Sequence, residues 1–170
     1  MTTRALSRPT EVAVATTYDI VTTKLAFASP AERVWEGLMF YEQLDERPPF
    51  YLRWLLPVPI RTEGKKSEVG DEALCLYEGG HLIKRVTQIE PNRLYAFSVT
   101  EQQLEVGRMQ LSNGSYELRP RPDGGTDLIA MTRYVSHRRP RWLWRGIEAQ
   151  VCHLFHRHIL RSMRSKIDGR

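Results

Sequence analysis

Residues 141–167 read RWLWRGIEAQVCHLFHRHILRSMRSKI, with no proline and a single glycine. At 100° per residue, a broad set of mostly apolar side chains gathers on one side of this run. The set comprises Trp144, Ile147, Val151, Leu154, Phe155, His158, Ile159 and Ser162. The opposite side collects Arg145, His153, His156, Arg157 and Arg164. The pattern predicts a long amphipathic C-terminal helix, whose apolar face needs a sheet to pack against.

Upstream of this run the sequence is typical of antiparallel strands. Strands are predicted over 71–77, 81–90, 93–101, 115–121 and 126–135, separated by turn signals at 78–80, 91–92, 113–114 and 123–125. Connections this short exclude parallel neighbours. An earlier strand over 18–27 leads into Ser29-Pro30-Ala31-Glu32, which predicts a short helix capped by Ser29.

Residues 41–70 interrupt the regular pattern. Pro48, Pro49, Pro57 and Pro59 exclude a long helix or a central strand, yet apolar and aromatic residues lie between them. Such a segment is either a lid over a cavity or a well-packed connection, and the sequence leaves both open. Residues 1–17 are small, polar and rich in threonine, so we expect a flexible N-terminal segment before a single domain over residues 18–167.

Charge is distributed unevenly along the 170 residues, whose net charge is +5. Residues 138–170 carry nine Arg or Lys against two acids, so the basic excess lies in the C-terminal segment. It is either a solvated helix face or a surface for an anionic partner. Trp142 and Trp144 beside Arg138 and Arg145 resemble an interfacial membrane anchor. Nucleic acid is not an expected partner, because aromatic and basic residues do not interleave on any platform.

The cysteines and the N-terminus bear on the compartment. Cys75 and Cys152 are far apart in the sequence, and no basic stretch followed by an apolar run opens the chain. No segment approaches the about 20 apolar residues that span a bilayer. We therefore expect a cytoplasmic protein with reduced thiols.

This order of elements resembles the helix-grip fold of the START-like (SRPBCC) superfamily, which includes birch-pollen-allergen proteins and the polyketide cyclase/dehydrase group. The resemblance is carried by ASPAERVW at 28–35, RVTQIEPNRL at 85–94 and GSYEL at 114–118, and it covers about residues 18–167. It implies an α+β fold, in which a curved antiparallel sheet wraps around the C-terminal helix with a hydrophobic cavity between them. Members bind lipids, sterols, polyketides or plant hormones, and a minority catalyse cyclisation or dehydration. The resemblance implies no cofactor and no shared catalytic motif.

Candidate ligand-binding residues are mainly aromatic side chains on the predicted strands and helices. They are Trp35, Trp54, Tyr77, Arg85, Tyr95, Phe97, Tyr116, Tyr134, Phe155 and His158. Rings with polar tips suit the wall of an apolar cavity that orients ligand oxygens. An inward-facing Arg85 would anchor a carboxylate or enolate. His158 lies near the middle of the predicted apolar face, where it is either a hydrogen-bonded core residue or a ligand-orienting acid/base group.

Cys152, His153 and His156 suggest a metal site at first sight, since Cys152 and His156 are one helical turn apart. The predicted helical phase places them toward solvent, and a zinc site needs three or four ligands from more than one element. We therefore expect no metal. The sequence also shows no Ser-His-Asp arrangement, phosphate-binding glycine loop or Rossmann fingerprint.

Three functions remain open at this point. The first is binding or transport of a small hydrophobic ligand, such as a lipid or polyketide, in the cavity. The second is a polyketide cyclase/dehydrase-like enzyme that uses His158 or a cavity tyrosine as acid/base. The third is a peripheral module that contacts an anionic membrane or an acidic partner through the Arg-rich helix. The sequence does not predict an oligomeric state.

Overall fold

The computed structural model describes residues 17–40, 59–104 and 108–169. These ranges hold seven strands and two helices. In chain order they are β1 (Asp19–Phe27), α1 (Ala31–Phe40), β2 (Pro59–Gly64), β3 (Glu72–Tyr77), β4 (Gly80–Glu90), β5 (Leu94–Gln103), β6 (Met109–Pro120), β7 (Thr126–Ser136) and α2 (Arg141–Asp168). Trp54 and most of the predicted lid, residues 41–58, lie outside the described ranges.

The strands form one antiparallel sheet in the order β1-β7-β6-β5-β4-β3-β2. Strands β2 to β7 are neighbours in sequence order, which confirms the predicted meander, and β1 pairs with β7. Strand β2 begins at Pro59 and lies at the edge of the sheet, where the missing proline amide breaks no ladder. The sheet and the 28-residue helix α2 confirm the predicted helix-grip architecture.

The predicted turn at Asn113-Gly114 is wrong, because both residues lie inside β6. Gly114 is paired with Phe97 of β5 and Thr132 of β7. A Cβ at Gly114 would lie 2.7 Å from Cζ of Phe97. The glycine is needed because the ring of Phe97 occupies the space where a side chain would stand.

Helix α2 packs with a different face from the one that its apolar residues predict. Its buried residues are Glu148, Cys152, His156, Leu160, Ser162, Met163 and Ile167. Ile147 is 44% exposed. His158, which the sequence places near the middle of the packing face, is only half-buried. The predicted phase is wrong because it counts apolar residues alone, whereas the buried stripe includes polar groups that form hydrogen bonds within the fold.

Polar contacts attach both ends of α2 to β1 and the residues after it. At the first turns Arg141 forms ion pairs with Asp19 and, at 2.8 Å, with Glu148. At the last turn Asp168 accepts hydrogen bonds from the amide and the hydroxyl of Ser29. Ser29, the predicted cap of α1, donates its hydroxyl to Asp168 and so ties the residues before α1 to the end of α2.

Two buried clusters fill the interior. The first joins both helices to the sheet and contains Phe27, Val34, Val86, Leu118, Leu128, Leu160 and Met163 among others. The second includes Val21, Cys75, Leu82, Leu104, Met109, Tyr134 and Cys152. Across the described parts of the chain, neither helix is both long and apolar enough to cross a membrane.

Candidate ligand-binding site

A pocket of about 120 Å³ lies between the sheet and α2. Its walls are Leu38, Ile60, Arg61, Thr62, Lys66, Ala73, Cys75, Leu76, Tyr77, Lys84, Tyr95, Phe97, Tyr116, Phe155, Ile159 and Met163. Mostly apolar walls with a few polar groups are typical of small-molecule sites. A cavity of about 150 Å³ accommodates benzene, so the pocket has room for a ring-sized group. Ile60, on the edge strand, is 53% exposed and marks where the pocket opens.

Helix α2 contributes Phe155, Ile159 and Met163, which follow one another at intervals of four residues and therefore lie along one side of the helix. This side is adjacent to the buried stripe that packs against β1 and β7. The helix thus serves two purposes, since one side completes the core and the next side forms the wall of the pocket.

The opposite wall is an aromatic surface on β5 and β6. Tyr95 and Phe97 are two residues apart on β5 and so share a face of the sheet. Tyr116 is the register partner of Tyr95. The ring of Phe97 lies 6.1 Å from that of Tyr95 and 6.4 Å from that of Tyr116, in tilted arrangements favourable for aromatic pairs.

Lys84 of β4 brings a cation to this aromatic wall. Its Nζ lies 4.7 Å from the centre of the Phe97 ring, a cation–π distance. Burial lowers the pKa of Lys84, whereas negative charge on Cys75, Tyr77, Tyr116 or Tyr95 raises it, and with those groups ionised the net direction is upward.

The tyrosines of the wall remain protonated at neutral pH. Burial raises the pKa of Tyr95 to about 12, and it also raises the pKa values of Tyr77 and Tyr116. A neutral phenol carries one hydrogen-bond donor. The wall therefore offers phenol donors and one ammonium, a combination that suits a ligand oxygen.

Of the nine candidate residues that the structure describes, five line the pocket: Tyr77, Tyr95, Phe97, Tyr116 and Phe155. The structure places other candidates elsewhere. Tyr134 is fully buried in the second core cluster, and Trp35 packs against the first. Arg85 is exposed and pairs with Glu72 at 2.7 Å, so it does not serve as the inward anchor considered above. His158 is absent from the pocket walls.

Sequence reasoning missed Lys84, although its neighbours carry the necessary signal. Leu82 and Val86 are buried on β4, and residues two apart on a strand face the same way. This alternation places Lys84 inward and Arg85 outward. The signal was available, but a lysine among apolar residues usually indicates the solvent face of a strand.

The predicted solvent exposure of Cys152 and His156 is wrong, since each is only 7% exposed. Thr23 Oγ1 lies 2.8 Å from Nδ1 of His153 and 3.0 Å from Nδ1 of His156. Thr132 Oγ1 lies 2.8 Å from Nε2 of His156. These histidines attach the middle of α2 to the sheet. Within residues 17–40, 59–104 and 108–169, no three His, Cys, Asp or Glu side chains gather as a metal site would require.

Comparison with protein-family models gave no match, and none was found among curated proteins. Solved structures do match. An aromatase/cyclase named Zhui, from Streptomyces sp. R1128, is similar with a TM-score of 0.63 and 16% identity, over 89% of this chain and 94% of its own. Protein MLL2253 from Mesorhizobium loti has a TM-score of 0.59 and 19% identity, over 89% and 98%.

The Aha1 dimer from Colwellia psychrerythraea is also similar, with a TM-score of 0.57 and 13% identity, over 88% of this chain and 96% of that one. At such identities the likeness concerns the fold and not the ligand. The coverage is nearly complete in each pair, so the whole described architecture is shared. The chain therefore shares the helix-grip fold of these solved structures, with a pocket between its sheet and its C-terminal helix.

Proposed function

We propose that the protein binds a small, largely apolar ligand in the pocket between the sheet and α2. The observation that carries this proposal is the pocket itself, whose walls are aromatic and aliphatic side chains from both layers. Concave, mostly apolar pockets between layers of secondary structure are the usual sites of small-molecule binding. A ligand in this space of about 120 Å³ would contact both the sheet and the helix.

The neutral, single-ring fluorophore 4-(dimethylamino)benzonitrile tests this proposal. We expect it to bind the wild-type protein with a rise in fluorescence, and Thr62→Trp to weaken binding by about tenfold or more because the indole occupies the pocket. Thr62 lines the pocket from an edge strand and is half-buried, so the larger side chain has room to be accepted. Fluorescence titration measures both affinities.

Thr87→Trp is the matched control, because Thr87 is exposed on β4 and is absent from the pocket walls. Its affinity for the fluorophore should stay within about twofold of the wild type, as for ordinary surface substitutions. Absence of fluorophore binding, or equal weakening by both variants, would contradict a ligand site at this place.

The cyclase alternative has narrower support from the geometry. His158 does not line the pocket, so an acid/base role would pass to Tyr77, Tyr95 or Tyr116. Burial raises the pKa of each of these phenols, which makes them proton or hydrogen-bond donors at neutral pH and poor bases. A protein that only binds its ligand requires no catalytic base in the pocket.

A second candidate function is contact with an anionic membrane through the first turns of α2. Trp142 is 81% exposed, and Leu143 and Ile147 are 43% and 44% exposed on the same short stretch. Arg139 and Arg145 are exposed beside them. Exposed apolar side chains flanked by arginines are typical of segments that lie in the lipid headgroup region.

Vesicle co-sedimentation tests this second candidate. We expect stronger binding to phosphatidylserine-containing vesicles than to phosphatidylcholine vesicles, and a loss of about tenfold with Trp142→Ala, because an indole buries a large apolar area. Val69→Ala is the control, since Val69 is 65% exposed on the β2–β3 connection. Equal binding to both vesicle types would exclude a preference for an anionic membrane, and binding to neither type would exclude membrane contact.

A further inference from the structure

Within the part of the chain that the structure describes, the pocket walls carry positive charge and no negative charge. Arg61, Lys66 and Lys84 line the pocket, and none of the described lining residues is an aspartate or glutamate. Arg61 already has a counter-charge, because its Nε lies 2.5 Å from Glu63 Oε1. Lys66 donates to the carbonyl oxygen of Leu38 at 3.5 Å.

Lys84 differs from the other two cations. In the part of the chain that the structure describes, no carboxylate lies within ion-pair distance of its Nζ. It is half-buried along the pocket wall, with the ring of Phe97 beneath its ammonium group. Placing a cation against apolar walls is costly unless the charge is paired. The cation–π contact offsets part of that cost, and an anion would offset more.

The protein does not supply this anion from the tyrosines around Lys84. Burial keeps the phenols of Tyr77, Tyr95 and Tyr116 protonated at neutral pH. Neutral phenols can donate hydrogen bonds to an anionic oxygen beside the ammonium. The pocket is therefore complementary to a negative group in both charge and hydrogen bonding.

We propose that the ligand is an aromatic or alicyclic acid whose single anionic group pairs with Nζ of Lys84 while its ring occupies the apolar part of the pocket. This inference rests on the proposed function and specifies the class of ligand. A carboxylate fits better than a phosphate, because among the described residues Lys84 is the one wall cation with no ion pair or hydrogen bond to the protein, and the cavity has room for little more than a ring. Phosphate sites typically converge several donors or a bidentate arginine.

Two probes of nearly equal shape test the proposal, benzoate and its neutral analogue benzamide. At neutral pH we expect the wild-type protein to bind benzoate about tenfold more tightly or better, because only this probe pairs with the ammonium. Lys84→Met should abolish the preference while benzamide binding stays within about twofold. Lys84→Arg should keep the preference, since it keeps the charge.

Lys24→Met is the control for the loss of one positive charge. Lys24 lies on β1, with a 62% exposed side chain paired to Asp127, far along the sheet order from the pocket strands. The Lys24→Met variant should retain the full preference for the anionic probe over the neutral one. A preference that survives in Lys84→Met, or a wild-type protein that binds both probes equally, would overturn the proposal. Failure of both probes to bind wild-type protein would instead overturn the proposed function.

A measurement on the wild-type protein decides the matter if Lys84→Met does not fold. Amine acetylation followed by peptide mass spectrometry reports the reactivity of each lysine. We expect benzoate to slow acetylation of Lys84 several-fold relative to benzamide, with Lys24 unaffected by either. Equal protection of Lys84 by the two probes would show that charge pairing is absent.

Discussion

His156 combines burial with contacts at both ring nitrogens. Its Nδ1 lies 3.0 Å from Oγ1 of Thr23 and its Nε2 lies 2.8 Å from Oγ1 of Thr132. A neutral imidazole has one donor and one acceptor, so one threonine donates and the other accepts. Burial and the neighbouring His153 lower the pKa of His156 to about 4. The ring is therefore neutral where it joins α2 to the sheet.

The pH dependence of stability follows from this lowered pKa. Protonation is easier in the unfolded chain, with its value of 6.5, than in the fold, with about 4. The contribution of His156 is therefore complete above about pH 6.5 and is lost as the pH falls toward 4. The full loss is about 3 kcal/mol. His156→Gln should flatten this part of the profile in urea unfolding experiments.

His137→Gln is the matched control, because His137 is exposed after the end of β7. Its unfolding free energy should follow the wild-type pH profile. Carboxylates that titrate at low pH affect all three proteins alike, so the difference between variants isolates the histidine. A wild-type profile in His156→Gln would show that His156 does not carry this acid sensitivity.

The contact between the two helices depends on one glycine. A Cβ at Gly37 of α1 would lie 2.3 Å from Cδ1 of Ile167 on α2. Ile167 is 7% exposed and belongs to the first core cluster. The absence of a side chain at Gly37 lets the isoleucine pack directly against the α1 backbone, and this close approach sets the position of α1 beside the end of α2.

The effect of substituting Gly37 on stability should change sign when the side chain of Ile167 is removed. Alanine gains about 1 kcal/mol of helix propensity over glycine, but overpacking costs about 1–3 kcal/mol. We expect Gly37→Ala to lower the free energy of unfolding by about 1 kcal/mol in the wild-type background. In an Ile167→Ala background the clash is gone, so Gly37→Ala should raise the free energy of unfolding by up to about 1 kcal/mol. Denaturant unfolding measures both steps.

Gly146→Ala in α2 separates propensity from packing, because a Cβ there would meet nothing within 4 Å. This control should be stabilising in either background. If Gly37→Ala destabilises equally with and without the Ile167 side chain, the helix contact is not what requires the glycine.

The whole molecule is arranged around α2. One side of this helix is attached to β1 by polar contacts, and the neighbouring side faces the pocket. Asp19, Thr23 and Ser29 bind the start, middle and end of the helix to β1 and the residues that follow it. The pocket lies on the neighbouring side, against β2 to β6. Because the attachments lie at β1, the pocket strands are not drawn against the helix by the same polar contacts, and space remains between them.

Charge is also organised at the scale of the molecule. The basic excess of residues 138–170 divides into two parts in the fold. Arg141 is half-buried and pairs with Asp19 and Glu148, whereas Arg139 and Arg145 are exposed beside Trp142, although Arg145 also pairs with Asp19. Counting charges along the sequence therefore overstates the cationic surface, because Arg141 holds α2 to β1 instead of facing solvent.

Several features could be predicted because the signals are local. Period-two alternation, glycine-containing turns and a long proline-free run predict antiparallel strands followed by a helix. Five pocket residues, including Tyr95 and Phe155, were also identifiable, since aromatic residues on strands and on a helix facing a sheet tend to meet inside. Neither inference needs knowledge of distant partners.

The face of α2 that packs followed only from the folded chain. Glu148 and His156 are buried because Arg141, Thr23 and Thr132 satisfy their polar atoms, and two of these partners lie more than twenty residues away. Apolar periodicity cannot register such compensation, since it treats every polar side chain as outward-facing. The pocket likewise exists only where strands distant in sequence meet one side of the helix, which is a property of tertiary packing.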